Sequence, residues 1–157
     1  MFQFINVPMG VWIDEQGRVV RPAEPAWTST RTAVYGGKAL DTEGEQYVEA
    51  LRDWVRNGEK SSYVLSDDEF ARRVKPRSPV DMEAEATFKL AVWFQQASNA
   101  GLAAKYFERA QTLNPDDWNY HRQEWSFSPA EADKKWLEKF RQTDERYYPK
   151  LQLKPKG

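Results

Sequence analysis

The stretch from Ala84 to Asp117, AEATFKLAVWFQQASNAGLAAKYFERAQTLNPDD, constrains the fold more than any other part of the sequence. Apolar residues recur at helical spacing on both sides of Ser98-Asn99, and this pattern predicts two helices. Asn114-Pro115 predicts the end of the second helix, because proline disfavours helical backbone in the residue before it. Small residues on the two stripes allow an antiparallel pair to approach closely while large rings fill the groove, and these residues are Ala91, Ala103, Ala110, Phe94 and Phe107.

The combination of small residues, aromatic residues and a closing proline in this stretch resembles one tetratricopeptide repeat, whose period is about 34 residues. Thr87 stands where that repeat usually has Trp. The resemblance implies an antiparallel helix pair that stacks on further helices. A helix predicted over Trp118–Trp125 lies in the sequence where the next helix of such an array would stack. Arrays of this kind present a surface to peptides or to a second subunit.

The N-terminal part of the sequence predicts a β-hairpin. Val11 and Ile13 alternate with Trp12 and Asp14, a short turn with Gly17 follows, and the chain then returns as RVVR. A glycine-containing turn between two such runs is typical of a hairpin. A proline just before the first run marks the start of a strand, since proline cannot donate to a strand ladder.

The run NVPMGVWIDEQGRVVRP, which contains this hairpin, resembles the second half of a thioredoxin-like domain of the redoxin, TlpA or AhpC/TSA type. In that family a Val-Pro pair with a cis peptide bond begins the fourth strand, so the resemblance implies a cis-proline at Pro8. A helix predicted from Asp41 or Thr42 to about Asn57 would match the terminal helix of such a domain. The family's redox Cys-x-x-Cys pair has no counterpart, because the sequence contains no cysteine.

The remaining segments complete an α+β prediction. Residues 22–40 are rich in Pro, Thr, Ser and Gly and predict a long loop that carries Trp27 and Tyr35. Ser66 and Ser128 each begin a capping pattern for a further helix, the second of which is expected to run to about Asp144. We expect a partial thioredoxin-like ββα unit over residues 1–60, a mostly helical tetratricopeptide-like region over 61–148, and a flexible tail over 149–157.

Composition and motifs exclude several classes of function. The net charge of −1 provides no field that would recruit nucleic acid or anionic membranes. No apolar run approaches the roughly 20 residues that span a bilayer, and the N-terminus lacks signal-peptide features, so a cytoplasmic location is expected. The absence of cysteine excludes disulfides, thiol catalysis and thiolate metal sites.

The sequence contains no recognisable catalytic motif. His121, the only histidine, has no local nucleophile and acid beside it and is expected within an aromatic cluster. The acidic pairs stand at helix starts, where carboxylates stabilise exposed amides, and no glycine-rich phosphate-binding motif is present. We therefore expect no enzyme activity, no cofactor and no metal.

The expected function is a non-catalytic, redox-inactive module for protein–protein interaction or self-association. Two strands alone leave open edges, so we expect a homodimer that completes the hairpin or sheet, with Phe2, Phe4 and Ile5 adding an edge strand and with a protein or peptide as a further partner. The candidate interaction surface comprises Phe2, Phe4, Trp12, Trp27 and Tyr35. One alternative is a small-molecule binder or enzyme with a pocket between the hairpin, the loop 22–40 and the helices. The other is a split remnant that docks on a separate thioredoxin-like chain.

Overall fold

The computed structural model describes residues 2–74, 76–143 and 147–153. These residues form the expected α+β fold, with two separate antiparallel hairpins, six α-helices and one short 3-10 helix. The strands are β1 (Met9–Ile13), β2 (Val19–Pro25), β3 (Thr30–Tyr35) and β4 (Lys38–Glu43). The helices are α1 (Gly44–Asn57), α2 (Asp67–Arg73), α3 (Pro79–Gln96), α4 (Ala100–Leu113), α5 (Trp118–Ser126) and α6 (Pro129–Gln142).

The chain divides into two compact units. The first comprises Met1–Lys75 together with Lys139–Gly157, and the second comprises Pro76–Glu138. The segment that precedes α2 belongs to the first unit because it is hydrogen-bonded to β2. The Leu65 amide donates to the Val20 carbonyl over 3.4 Å, and the Arg21 guanidinium donates to the Tyr63 carbonyl over 2.8 Å.

The core of the first unit forms where one face of the β1–β2 hairpin packs on α1. Trp12 is 1% exposed, its indole N–H donates to the Tyr47 hydroxyl over 3.1 Å, and its ring stacks on Trp54 at 5.0 Å. The expectation that Trp12 belongs to an exposed interaction surface is therefore wrong. Alternate side chains of a strand point to opposite faces, and here Trp12 faces the helix while Ile13 is 42% exposed.

Residues 22–40 are not the long loop expected from their composition. They contain the end of β2 and most of the β3–β4 hairpin, in which Tyr35 pairs with Lys38 around Gly36-Gly37. Both glycines have positive φ, at 57° and 86°. A two-residue turn of this kind favours Gly-Gly because it requires φ values that other residues resist. The two glycines of this segment form a hairpin turn and its serine precedes a strand, so this composition does not indicate an irregular loop here.

Helix α1 begins later than the expected cap at Asp41 or Thr42. Thr42 lies in β4, and its hydroxyl donates to the Ser29 carbonyl over 2.9 Å. The first helical residue is Gly44, where an added Cβ would lie 2.1 Å from the Ser29 backbone nitrogen, so only glycine fits. The helix ends at Asn57, as expected, and Gly58 follows with a φ of 53°.

In the second unit, α3 and α4 form the helix pair that the sequence predicts. Ala84 clusters with Ala110, and Ala91 clusters with Ala103, so the two helices run antiparallel. All four alanines are at most 1% exposed, which permits close contact between the helices. Phe107 is 2% exposed and fills the interface, whereas Phe94 is half-buried and stacks on Tyr106 at 5.3 Å.

The last described residues contribute to the core of the first unit. Leu151 and Leu153 pack against the cluster that contains Trp12, which differs from the flexible tail expected over 149–157. The Gln152 carbonyl accepts hydrogen bonds from two arginines, at 3.2 and 2.9 Å. Residues 154–157 of that expected tail, and Asp144, the expected end of α6, lie outside the described residues.

Candidate functional site

The two outer edges of the β1–β2 hairpin differ in character, and the edge of β2 is already protected. The register shifts between Gly10 and Trp12 and again between Trp12 and Ile13, and at each place β2 has one residue more than β1 and is irregular. The bulged strand contains two prolines, Pro22 and Pro25, which have no N–H to donate. The Leu65 amide also contacts this edge through the Val20 carbonyl. Bulges, prolines and covering segments are common ways to prevent strand addition.

The outer edge of β1 has none of these protections. Its sequence, MGVWI, contains neither a charged residue nor a proline, whereas the other three described strands each contain a charge. Within the described residues β1 pairs with β2 alone. Natural edge strands usually contain a charge, a proline or a bulge, so β1 has the composition of an interior strand.

Apolar side chains are exposed in the segment that precedes β1 and at the end of the strand. Val7 is 51% exposed and Ile13 is 42% exposed, while Phe2 and Phe4 are each 38% exposed and their rings lie 6.1 Å apart. Residues 2–5 form no strand. The segment is held at Asn6, which is fully buried and donates to the Tyr147 carbonyl over 2.8 Å. The Val7–Pro8 peptide bond is cis, the isomer expected at Pro8 from the sequence.

A cleft of about 620 Å³ lies in the first unit, beside β4 and the end of α6. Its aromatic corner is formed by Trp27 and Tyr148, whose rings meet at 79° with their centres 5.1 Å apart. The residues that line it are Pro25, Trp27, Lys38, Ala39, Leu40, Asp41, Glu43, Phe140, Thr143, Tyr147, Tyr148, Pro149, Lys150 and Leu151. A concave site of this volume is in the usual range for ligand binding.

Two of the charged residues that line the cleft, Lys38 and Asp41, make hydrogen bonds within the protein. The Lys38 ammonium donates to the Phe140 carbonyl at 3.3 Å and to the Thr143 carbonyl at 2.6 Å, at the C-terminal end of α6. A cation at this end of a helix is stabilised by the helix dipole. Asp41 accepts a hydrogen bond from the Thr32 hydroxyl over 2.7 Å, and both Asp41 and Glu43 are exposed.

The structure brings only part of the expected surface together. Trp27 lines the cleft, and Tyr35 lies against Phe140 at 6.2 Å, next to the cleft but not among its lining residues. Phe2 and Phe4 contact each other on the N-terminal segment, and Trp12 is in the core. The sequence did not predict four of the cleft residues, Lys38, Phe140, Tyr147 and Tyr148. The Tyr147-Tyr148-Pro149 run after α6 was the available signal, because two adjacent large rings need a surface to pack on.

The second unit contains a buried carboxylate with a shifted pKa, Asp117, and the histidine of the sequence, His121. Burial raises the pKa of Asp117 to about 6, against the opposing effect of the hydrogen bond that it accepts from the Asn119 amide at 3.0 Å. This contact caps α5. His121 lies 5.6 Å from the Trp125 ring, with Nε2 3.3 Å from the Pro115 carbonyl oxygen, as expected of a histidine in an aromatic cluster. Both groups serve local structure.

Other classes of site receive no support from the described ranges. These residues bring together no group of three His, Cys, Asp or Glu side chains that could hold a metal ion. None of their helices has the length and apolar composition needed to cross a membrane. No family model, curated protein or solved structure matches this chain. The outer edge of β1 and the cleft are therefore the two candidate functional sites.

Proposed function

We propose that this chain is a non-catalytic interaction module, and that a second copy of the chain binds at the outer edge of β1. The observation that carries this proposal is the contrast between the two edges of one hairpin. β2 is bulged, rich in proline and covered, whereas β1 is uncharged and its outer edge is unpaired within the described residues. A strand with the composition of β1 gains stability when its outer N–H and C=O groups pair with another strand.

Two copies can pair through β1 around a two-fold axis. Antiparallel pairing would give a four-stranded sheet in the order β2–β1–β1–β2, with the same surface used by both copies. With the axis at Val11, the centre of the strand, Met9 of one copy lies opposite Ile13 of the other. The exposed Val7 and Ile13 side chains would lose water contact beside the new pairing, which adds hydrophobic stabilisation.

We also propose that the first unit is thioredoxin-like and that the second unit is tetratricopeptide-like. A thioredoxin-like ancestry of the first unit is supported by an antiparallel hairpin that packs on α1 through Trp12, Tyr47 and Ala50. In a fold of that kind the strand after the proline lies inside a larger sheet, which accounts for its lack of charge. A tetratricopeptide-like second unit is supported by the alanine contacts between α3 and α4, and by Tyr120 of α5 stacking on Phe88 at 4.6 Å.

The test is the solution mass, measured by light scattering after size exclusion over about a hundredfold dilution, since a dimer dissociates by mass action. The wild-type chain should be a dimer. Ile13→Lys places a charge on the edge of β1 and should give a folded monomer. Val34→Lys makes the same change on β3, at a side chain that is 68% exposed, and should leave the dimer intact.

A wild-type monomer at every concentration would refute the dimer, as would equal masses for the two lysine variants. Circular dichroism of each variant verifies that a change in mass does not come from unfolding. The split-remnant alternative uses the same edge for a strand from a separate thioredoxin-like chain. A homodimer that persists on dilution and dissociates in Ile13→Lys argues against that alternative, because the edge is then already filled.

A second candidate function, ligand binding without self-association, is favoured by the cleft. Its volume of about 620 Å³ and its Trp27–Tyr148 corner combine concavity with aromatic surface. Charged groups from β4 line the same space. The lining surface is more polar than apolar, so a ligand would meet hydrogen-bonding groups as well as aromatic rings.

A further inference from the structure

We infer that Tyr148 is a positioning residue for the pairing of two copies, because its hydrogen bond to Val7 closes one end of the β1 edge and so sets the register. This inference rests on the proposed pairing at β1 and names the side chain that aligns it. It depends on which backbone groups of β1 point outward and on where the open edge ends.

The outward-pointing groups of β1 follow from its hydrogen bonds to β2. The Pro8 carbonyl accepts from the Ala26 amide over 3.2 Å, and the Asp14 amide donates to the Arg18 carbonyl over 2.9 Å. In an antiparallel ladder the backbone groups of successive residues point alternately to the two sides of a strand. The extra residues at the register shifts belong to β2, so this alternation continues along β1. The residues whose N–H and C=O groups point to the outer edge are therefore Met9, Val11 and Ile13.

The outer edge is closed beyond both ends of β1. On the N-terminal side the Tyr148 hydroxyl donates to the Val7 carbonyl, which would be the next acceptor of a longer strand. A carbonyl that already has a donor within the chain gains less from pairing with a second strand. On the C-terminal side the chain turns after Ile13, and the Asp14 carboxylate accepts from two amides of that turn, at 3.0 and 2.8 Å.

Tyr148 is itself held firmly against the segment that precedes β1. Its side chain is buried, and its ring meets the Trp27 ring with centres 5.1 Å apart. The neighbouring Tyr147 carbonyl accepts from the Asn6 side chain, whose oxygen accepts from the Val7 amide over 2.9 Å. Val7 is thus bonded at both its N–H and its C=O before a second copy arrives, which reduces the entropy that pairing must remove.

The engagement of Val7 favours one register over its nearest competitor. With the two-fold axis at Val11, Met9 pairs with Ile13 of the other copy, and every outward-pointing residue has an outward-pointing partner. An axis at Gly10 also brings outward-pointing groups together, but it pairs Ile13 with Val7, whose N–H and C=O are already bonded. That register forms fewer new hydrogen bonds, so the axis at Val11 is favoured.

The experiment introduces single cysteines into β1, because the sequence contains none that would compete. Hydrogen-bonded residues of an antiparallel pair have Cα atoms about 5.5 Å apart, within the range that a disulfide bridges. Val11→Cys should therefore form a covalent dimer on mild oxidation. A mixture of Met9→Cys and tagged Val11→Cys reports an axis at Gly10, and its mixed dimer should be scarce. Val34→Cys, on the exposed face of β3, is the control and should not cross-link.

The same cross-links are then measured with Tyr148→Phe, which keeps the ring and removes the hydroxyl. This change should lower the yield of the Val11→Cys dimer several-fold and raise the yield of the mixed dimer with Met9→Cys. Tyr106→Phe removes the same atom in the second unit and should change neither yield.

The outcomes separate the pairing from the role of Tyr148. Absence of cross-links in every variant would overturn the pairing and the inference together, whereas yields unaffected by Tyr148→Phe would retain the pairing and overturn the role of Tyr148. The closure of Val7 is also measured without any pairing, by amide hydrogen exchange in the monomeric Ile13→Lys chain. There Tyr148→Phe should speed exchange at the Val7 amide several-fold, and an unchanged rate would overturn the inference whatever the oligomeric state.

Discussion

The guanidinium carbon of Arg21 lies 5.1 Å from the centre of the Trp12 ring, and both side chains are buried. The same guanidinium makes two hydrogen bonds to the Glu24 carboxylate, at 2.8 and 2.7 Å. Its remaining contacts are to the carbonyls of Tyr63 and Gln152, at 2.8 and 3.2 Å. One buried cation thus connects the hairpin with two segments that are distant in sequence. A charge is tolerated there because the carboxylate, the carbonyls and the ring replace its water shell.

Loss of this cation should destabilise the first unit. Arg21→Met leaves the Glu24 carboxylate buried without its partner, and should cost about 3–5 kcal/mol in the free energy of unfolding measured with urea. Adding Glu24→Leu should recover part of that loss, because no uncompensated charge then remains. Arg56→Met, at an exposed position on α1, is the control and should change stability by about 0.5 kcal/mol or less. A double variant as unstable as Arg21→Met alone would contradict the role given to charge compensation.

The α3–α4 interface should reject larger side chains at its alanines. Ala110 is fully buried, so Ala110→Leu forces the helices apart and should cost about 1–3 kcal/mol in thermal or urea unfolding. Ala104→Leu adds the same atoms to an exposed position of α4 and should be close to neutral. Equal stability of the two leucine variants would mean that close approach of these helices is not required.

The two phenylalanines of the helix pair should differ in energetic weight. Phe107 is 2% exposed and touches the Ala91–Ala103 cluster, so Phe107→Ala should cost about 3–5 kcal/mol. Phe94 is half-buried, so Phe94→Ala should lower the free energy of unfolding clearly less than Phe107→Ala does. The sequence pattern predicted that both rings fill the groove between the helices. Chemical denaturation of both variants measures the difference. A larger loss for Phe94→Ala would show that its stack on Tyr106 matters more than burial.

Asp117 should make the stability of the second unit depend on pH. Burial raises its pKa to about 6 from 3.8, so the folded state binds this proton more tightly than the unfolded state does. The resulting stabilisation is present below the unfolded pKa and is lost as the pH rises through about 6. Asp117→Asn keeps a capping side chain but cannot ionise. Its stability relative to the wild type should therefore rise between about pH 4 and pH 6 and then level off, by at most about 3 kcal/mol.

Urea unfolding at several pH values measures this difference directly. Asp116→Asn makes the same substitution at an exposed neighbour outside the cap and serves as the comparison. Parallel stability curves for the wild type and Asp117→Asn would contradict the expected pH dependence. A pH-dependent difference that appears equally in Asp116→Asn would assign the effect to general charge and not to burial of Asp117.

The helices were predictable because short-range chemistry decides where they begin and end. Ser66 and Ser78 each form a capping box, and Asn99 and Asp117 cap the helices that follow them. The capping pattern at Ser66 and the proline after Asn114 were visible in the sequence. These signals act within a few residues, so no knowledge of tertiary contacts was needed to use them.

The β3–β4 hairpin and the cleft were not predictable from the sequence to the same degree. Gly36-Gly37 contributes to the loop-like composition of residues 22–40, although its position between Tyr35 and Lys38 is typical of a hairpin turn. The alternation of residues along β1 does not show which face of the strand is buried, and the role of Trp12 depends on that face. The position of Tyr148 beside Trp27 depends on a contact between residues far apart in the chain, for which the sequence offers no local signal.

The discontinuity of the first unit has a consequence for its biosynthesis. The unit needs residues on both sides of the second unit, since Tyr147 accepts from Asn6 and Gln152 accepts from Arg21. During translation the hairpin and α1 emerge first but lack these late contacts, whereas the second unit is continuous and can complete its own core earlier. The outer edge of β1 is thus presented on the ribosome before Tyr147 and Gln152 have joined the unit. During that interval this edge is open to a chaperone or to a second nascent copy on the same mRNA.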